Sequence, residues 1–207
     1  GIAFPAEGGG AVVAPVSGGN AGDGVVFRGH GGSRVLSLAV SPCRTLVATG
    51  DAAGAVVVWA AATGTVVTAL SRSHGGPVVA AAFDKSGKKL AAVSAGSAAA
   101  AATVAVWESP SAGWRDAARL CRGEGDGSGG RPLFITWLDG ACNGSIAGAG
   151  GSGASQLMTG GQNYATFWSL SPNLTSAAGD FGHHERQTLL CATALGGGAV
   201  AGTSAGT

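Results

Sequence analysis

A chain of 207 residues with 45% apolar side chains can bury a sizeable core, and its length fits one or two domains. Only 11% of its residues are charged and the formal net charge is +1. That excludes the basic footprint of a nucleic-acid binder and any Lys/Arg block that would hold a membrane or another acidic surface.

From the start, IAFPA, AVVAPV and GVVFRG read as three short strands. VLSLAV from Val35, TLVATG from Thr45 and AVVVWA at Trp59 then form a strand–turn–strand–turn–strand unit. TVVTAL adds a fourth strand after the AAATG turn. The unit recurs as VVAAAF from Val78, KLAAVS from Lys89 and TVAVWE at Trp107, and again as LFITWL from Leu133, QLMTGG from Gln156 and YATFWS at Trp168. TLLCATAL and AVAGTS read as the first two strands of one more. Turn residues separate the strands: Pro42 presets φ between Ser41 and Arg44, and Gly87 supplies positive φ after Asp84. No sustained 3.6-residue period occurs, so the expectation is all-β. The unit boundaries fall at 1–28, 29–70, 71–121, 131–180 and 181–207.

Glycine is abundant, at 39 residues, and gathers with alanine in tracts such as 95–102 and 140–155. These read as loop insertions, since Gly and Ala offer little area to bury. Cys43, Cys121, Cys142 and Cys191 are too dispersed for a zinc site and read as buried free thiols in a reducing compartment. No apolar run reaches the ~18 residues of a membrane span, and GIAFPAEGGG lacks the parts of a signal peptide. With no initiator methionine, the sequence reads as a cytosolic piece of something longer.

These motifs carry a resemblance. Gly29 and His30 followed by LSLAVSP and LVATGDAAGAVVVW resemble a WD40 repeat. FRGH leading into VLSLAVSPCRTLVATG, the upstream IAFPAEGGGAVVAPV, LMTGGQNYATFWSL and the FG stretch of DFGHHERQTLLCATAL are similar to the echinoderm microtubule-associated protein-like (EMAP-like) group. The resemblance implies part of a WD40-type β-propeller, about three complete blades and two partial ones. It further implies a non-catalytic scaffold making protein–protein contacts with tubulin, microtubules or other axonemal proteins, in the cytoplasm, cytoskeleton and ciliary axoneme. A general WD40 adaptor in a soluble complex is the alternative. The spacings between the three tryptophans exceed the ~40–45 residues of a WD40 blade, and the Gly/Ala tracts account for the excess.

The sequence departs from the repeat where Ala60, Glu108 and Ser169 follow the tryptophans in place of aspartate. The turn aspartate, expected about six residues before Trp59, falls on Ala53. His30 is then left with Asp51 or Ser37 as a partner, or with an incomplete network.

His30 beside Asp51 also admits a catalytic reading, as a base. No nucleophile recurs near them, and His74 and His183 hold comparable positions before later strands, so architecture outweighs chemistry. The structural repeat positions are therefore His30, Trp59, His74, Trp107, Trp168 and His183, with His184 facing solvent. No catalytic, cofactor-binding or metal residue is assigned, and no cofactor, small-molecule substrate, nucleic acid or membrane partner is expected. GxGxxG from Gly148 sits in a low-complexity tract, and GxSxG from Gly202 in a β-turn, so neither has the strand–helix context its chemistry needs. Trp137 reads as core against a neighbouring blade. Trp114, in a loop after SPSAG, is a candidate exposed interface anchor, set against packing on its own blade.

Overall fold

The computed structural model describes residues 2–6, 9–14, 24–70, 74–96, 101–111, 113–125, 130–138, 155–171, 173–179, 187–195 and 198–205. These are all-β, in five antiparallel sheets. The first sheet holds β1 (Ile2–Ala6), β2 (Gly10–Ala14) and β3 (Val25–Phe27). Three four-stranded sheets follow: β4 (Val35–Val40), β5 (Leu46–Asp51), β6 (Val56–Ala60) and β7 (Val66–Leu70); β8 (Val78–Phe83), β9 (Lys89–Ser94), β10 (Thr103–Glu108) and β11 (Ala118–Glu124); β12 (Arg131–Leu138), β13 (Ser155–Gln162), β14 (Tyr164–Ser171) and β15 (Asn173–Ala178). β16 (Leu189–Leu195) and β17 (Gly198–Thr203) pair alone. Every sheet is a meander in sequence order, as short hairpin connections require.

The sheets pack face to face in a fan, with β4, β8, β12 and β16 as neighbouring inner strands. β1 lies against β4 as β5 lies against β8 and β13 against β16, so β1 holds the second-strand position of its sheet. Three complete and two partial blades of a WD40-type β-propeller result. The outer strands β11 and β15 complete their blades, although ARLCRGE and NLTSAA carry little strand signature of their own.

The middle strands are where the sequence is most apolar, and every residue of β5 is buried. Both faces of such a strand meet a neighbouring sheet, so its burial is continuous rather than alternating. Four clusters fill the seams. Ala11, Phe27, Val47, Val57 and Trp59 join the first two sheets. Val56, Val58, Leu90, Ala92 and Trp107 belong to the next seam, and Val93, Val106, Leu157 and Trp168 to the third. Leu138, Met158 and Leu189 hold β16 against the last full blade. Each of these three tryptophans therefore seals a seam.

The inner strands share a distortion. β4 slips register between Val35 and Ser37, β8 between Val78 and Ala80, β12 between Pro132 and Phe134, and β16 between Leu189 and Cys191. One residue of each bulge has no opposite partner: Leu36, Val79, Leu133 and Leu190. The same end of the blade is closed each time by a backbone bond, from Ala52 N to Arg34 O, from Ala95 N to Pro77 O and from Ser204 N to Thr188 O, at 2.9 Å in all three.

Candidate functional site

The polar groups that looked most like chemistry form one buried chain in the β4–β7 blade. The Trp59 indole N–H donates to Thr49 Oγ1 at 3.2 Å. Thr49 Oγ1 lies 2.8 Å from His30 Nε2, and His30 Nδ1 lies 2.9 Å from Asp51 Oδ2. A carboxylate only accepts, so His30 carries a proton on Nδ1 and donates it to Asp51. The Thr49 hydroxyl, which accepts from Trp59, also lies 3.4 Å from Val57 O. The other Asp51 oxygen, Oδ1, accepts from Ala53 N at 2.9 Å and Ala55 N at 2.8 Å. Phe27 stacks on Trp59 with ring centroids 4.6 Å apart, covering the chain from the preceding sheet.

Asp51 is therefore the turn aspartate, and the expectation that placed this position on Ala53 is corrected. Ala53 supplies only a backbone N–H to the network. The readable signal was the turn itself: Asp51 precedes Gly54 by three residues, the first and last positions of a β-turn that favours Asp and Gly there. Gly54 has φ +87°, and a Cβ on it would meet the His74 carbonyl oxygen of the next unit at 2.5 Å. Ser37 is not the partner of His30; its hydroxyl donates to Val78 O at 3.1 Å, across the seam. Thr49, which joins histidine to tryptophan, was not singled out from the sequence.

The β8–β11 blade repeats the frame with different occupants. Trp107 pairs with Leu90 as Trp59 pairs with Val47, which sets Ala92 where Thr49 stands and Ser94 where Asp51 stands. His74 Nδ1 lies 3.1 Å from Thr103 Oγ1, and Ser94 Oγ lies 2.7 Å from the same hydroxyl. His74 Nε2 is buried without a hydrogen-bond partner. Burial, with the charge of Arg122 adding to it, pushes the His74 pKa down to about 4. In the β12–β15 blade the Trp168 indole donates to Thr159 Oγ1 at 2.8 Å, and Thr159 donates to Tyr164 Oη at 3.0 Å. Leu157 opposite Trp168 sets Gly161 at the aspartate position, and Tyr164 takes the place of histidine in the chain.

His183 and His184 lie outside the described residues, as do Cys142 and the GxGxxG tract. Ser204 of the GxSxG match sits in a turn, where its hydroxyl accepts from Thr188 N at 3.3 Å. Trp137 donates its indole N–H to Ala82 O of the neighbouring blade at 2.9 Å. Trp114 is not an exposed anchor. It is fully buried, its ring stands edge-on to Phe83, and its N–H donates to Gly87 O at 2.8 Å, so its loop folds inward over the β8–β9 turn.

The expectation of buried thiols is corrected as well: Cys43 and Cys191 are exposed and Cys121 is half-buried. Cys43 occupies the tip of the Ser41–Arg44 turn, where hydrogen bonding from Ser41 and Thr45 pulls its pKa down to about 7. Burial pushes Cys121 up. Among the described residues no His/Cys/Asp/Glu group could hold a metal ion, and no helix is long and apolar enough to cross a membrane.

Residues 24–60, the span from β3 through Trp59, match the WD domain, G-beta repeat family. The fold is correspondingly that of a WD40 propeller, a class whose members are in general scaffolds for protein–protein contacts. Solved structures agree on the fold. Sqt1 from Chaetomium thermophilum superposes with a TM-score of 0.67 at 19% identity, covering 96% of this chain and 52% of that one. The same protein bound to the N-terminus of the ribosomal protein L10 gives 0.61 at 17% identity, over 96% and 52%. The computationally designed Ika4 protein gives 0.59 at 20% identity, over 92% and 96%. The chain thus spans about half the length of the Sqt1 chain. No curated protein sequence matches it.

Proposed function

We propose that the chain is a non-catalytic WD40 scaffold whose surface loops and blade rims bind segments of other proteins. The observation that carries this reading is the consumption of His30 and Asp51 by the fold. Every hydrogen-bonding atom of the imidazole and of the carboxylate is spent on Thr49, on each other or on the Asp51–Ala55 turn. A general base needs an accessible nitrogen within reach of substrate. The His30 side chain has none of its surface exposed. The Sqt1 neighbour, seen with a protein N-terminus bound, supports segment binding as the mode of contact.

The finer reading is attachment to microtubules in the cytoskeleton and the ciliary axoneme. It rests on the likeness of FRGH, VLSLAVSPCRTLVATG and the FG stretch to the EMAP-like group. The adaptor reading, in a soluble complex, draws equally on the WD40 repeat. Affinity purification of the tagged chain from ciliated cells, with co-pelleting on purified microtubules, separates them. Recovery of specific proteins with no pelleting leaves the adaptor. Recovery of none, under conditions where the folded chain is present, removes the scaffold reading altogether.

A further inference from the structure

The β4–β5 and β8–β9 turns are built on one template. Leu46 N donates to Ser41 Oγ at 3.0 Å in the first, and Lys89 N donates to Asp84 Oδ1 at 2.9 Å in the second. Ser41 N bonds Leu46 O as Asp84 N bonds Lys89 O. The fourth residue is left-handed in both, with φ +60° at Arg44 and +70° at Gly87. The third residue, Cys43 or Ser86, closes onto the side chain of the first. The occupants differ in charge. Ser41 is a neutral, buried hydroxyl, whereas Asp84 is a carboxylate that takes the Ser86 hydrogen. The Ser86 hydroxyl in turn accepts from Lys88 N at 3.2 Å. Ser86 is exposed, between the exposed side chains of Lys85 and Lys88. The second turn also holds another loop, because Gly87 O accepts the Trp114 indole N–H at 2.8 Å. Trp114 sits at φ +62°, a left-handed conformation that is unfavourable for a bulky residue. Its burial against Phe83 and its bond to Gly87 hold it there.

We propose that Ser86 is a phosphorylation site, and that a phosphate there opens the Asp84–Lys89 turn and releases the Trp114 loop. The Ser86 oxygen attacks the γ-phosphorus of a nucleoside triphosphate held by a protein kinase. The new O–P bond forms as the bond to the β,γ-bridging oxygen breaks, the nucleoside diphosphate leaves, and the hydroxyl proton passes to a carboxylate of the kinase. Charge patterns select kinase substrates, and the lysines on either side of Ser86 fit an acidic substrate groove. The product has no hydrogen to give Asp84 and sets about −1.5 to −2 charges beside that carboxylate. Lys85 and Lys88 draw the phosphate outward. The turn that fixes Gly87 O then loses its side-chain closure, and a strained tryptophan loses its acceptor. The same modification at the β4–β5 turn would meet no carboxylate at the first position, since Ser41 stands there.

Mass spectrometry tests the site in two preparations of the full chain. One is the tagged chain from eukaryotic cells; the other is the purified chain incubated with ATP and the catalytic fragment of a serine kinase that selects basic flanks. Phosphate is expected on Ser86 in both, and Lys85→Ala/Lys88→Ala should be labelled several-fold more slowly by the purified kinase. Tryptophan fluorescence then tests the release. The phosphorylated chain should emit further to the red and be quenched more strongly by acrylamide than the unmodified chain, and Trp114→Phe should remove that difference. Asp84→Asn, which keeps the turn's shape without its charge, should accept the phosphate with a much smaller change in emission. Ser86→Ala, which loses the bond to Asp84 but adds no charge, should also change emission less than phosphorylation does. Circular dichroism and melting of each variant before phosphorylation separate loop release from lost folding. No phosphate on Ser86 in either preparation would overturn the site, and undiminished labelling of the lysine variant would overturn its recognition by charge. Phosphate that leaves emission and quenching unchanged, or an equal change in Asp84→Asn, would overturn the release.

Discussion

The β4–β7 and β8–β11 blades have the same strand order, the same inner bulge and a buried tryptophan at the same register, yet their polar interiors differ. In the first, Thr49 and Asp51 let four side chains satisfy one another in line. In the second, Ala92 and Ser94 break that line, and His74 keeps one nitrogen buried and unpaired. An unmet buried polar atom costs about 1–3 kcal/mol. The blade tolerates it because its apolar seam is complete: Val78, Leu90, Ala105, Trp107 and Trp114 are all buried in one cluster. The network is thus separable from the blade fold, and it tunes stability on top of packing.

Breaking the complete network should have the largest effect. Asp51→Ala strips the acceptor from His30 Nδ1 and from two backbone N–H groups at once, and should cost about 3 kcal/mol in urea unfolding. Ser94→Ala at the equivalent position should cost about 1 kcal/mol. Equal losses would show that the two blades do not differ as their hydrogen bonds say.

Next in size is a pH effect confined to the incomplete blade. The His74 pKa lies near 4 when folded and at its ordinary 6.5 when unfolded, so the unfolded chain binds the proton more readily. Stability is fully present above the unfolded value and falls as pH drops toward the folded one. About 2 kcal/mol should be lost between pH 7 and pH 5 through this group. Urea midpoints of His74→Gln, compared with the parent at both pH values, should show that part of the slope disappear.

The smallest effect is a gain. Ala92→Ser restores a hydroxyl at the position Thr49 holds, within the span between Trp107 and His74, and should stabilise by about 0.5–1 kcal/mol. A matching rise in midpoint that vanishes in the His74→Gln background would confirm that the hydroxyl acts through the histidine.

The units built on β4–β6, β8–β10 and β12–β14 were legible because short β-branched and apolar runs recur three times with a tryptophan on the third strand, a pattern that seam burial on two faces favours. β11 and β15 were harder to read: they sit at the outer edge, where one side is solvated and composition is free to vary. The network was half legible. His30 stood out as a repeated residue, but counting back from Trp59 put the aspartate on Ala53 and left Asp51 only as one of two partners for His30; the turn chemistry of Asp51 and Gly54 would have decided between them. For Trp114 the sequence left an exposed anchor open beside packing on its own blade, and the structure shows the packing. Its acceptor is the carbonyl of Gly87, far along the chain, and a backbone acceptor leaves no trace in side-chain identity.

His30 lies on the segment that leads from β3 into β4, yet both side chains that hydrogen-bond it, Thr49 and Asp51, belong to β5. Each blade therefore fastens the strap by which it is entered, not the one by which it is left. Such an array has a polarity, like links that each latch onto the one before. The strap at His74 is fastened by the hydroxyl of Thr103 where His30 has a carboxylate and a hydroxyl, so it is held by fewer hydrogen bonds than the strap before it.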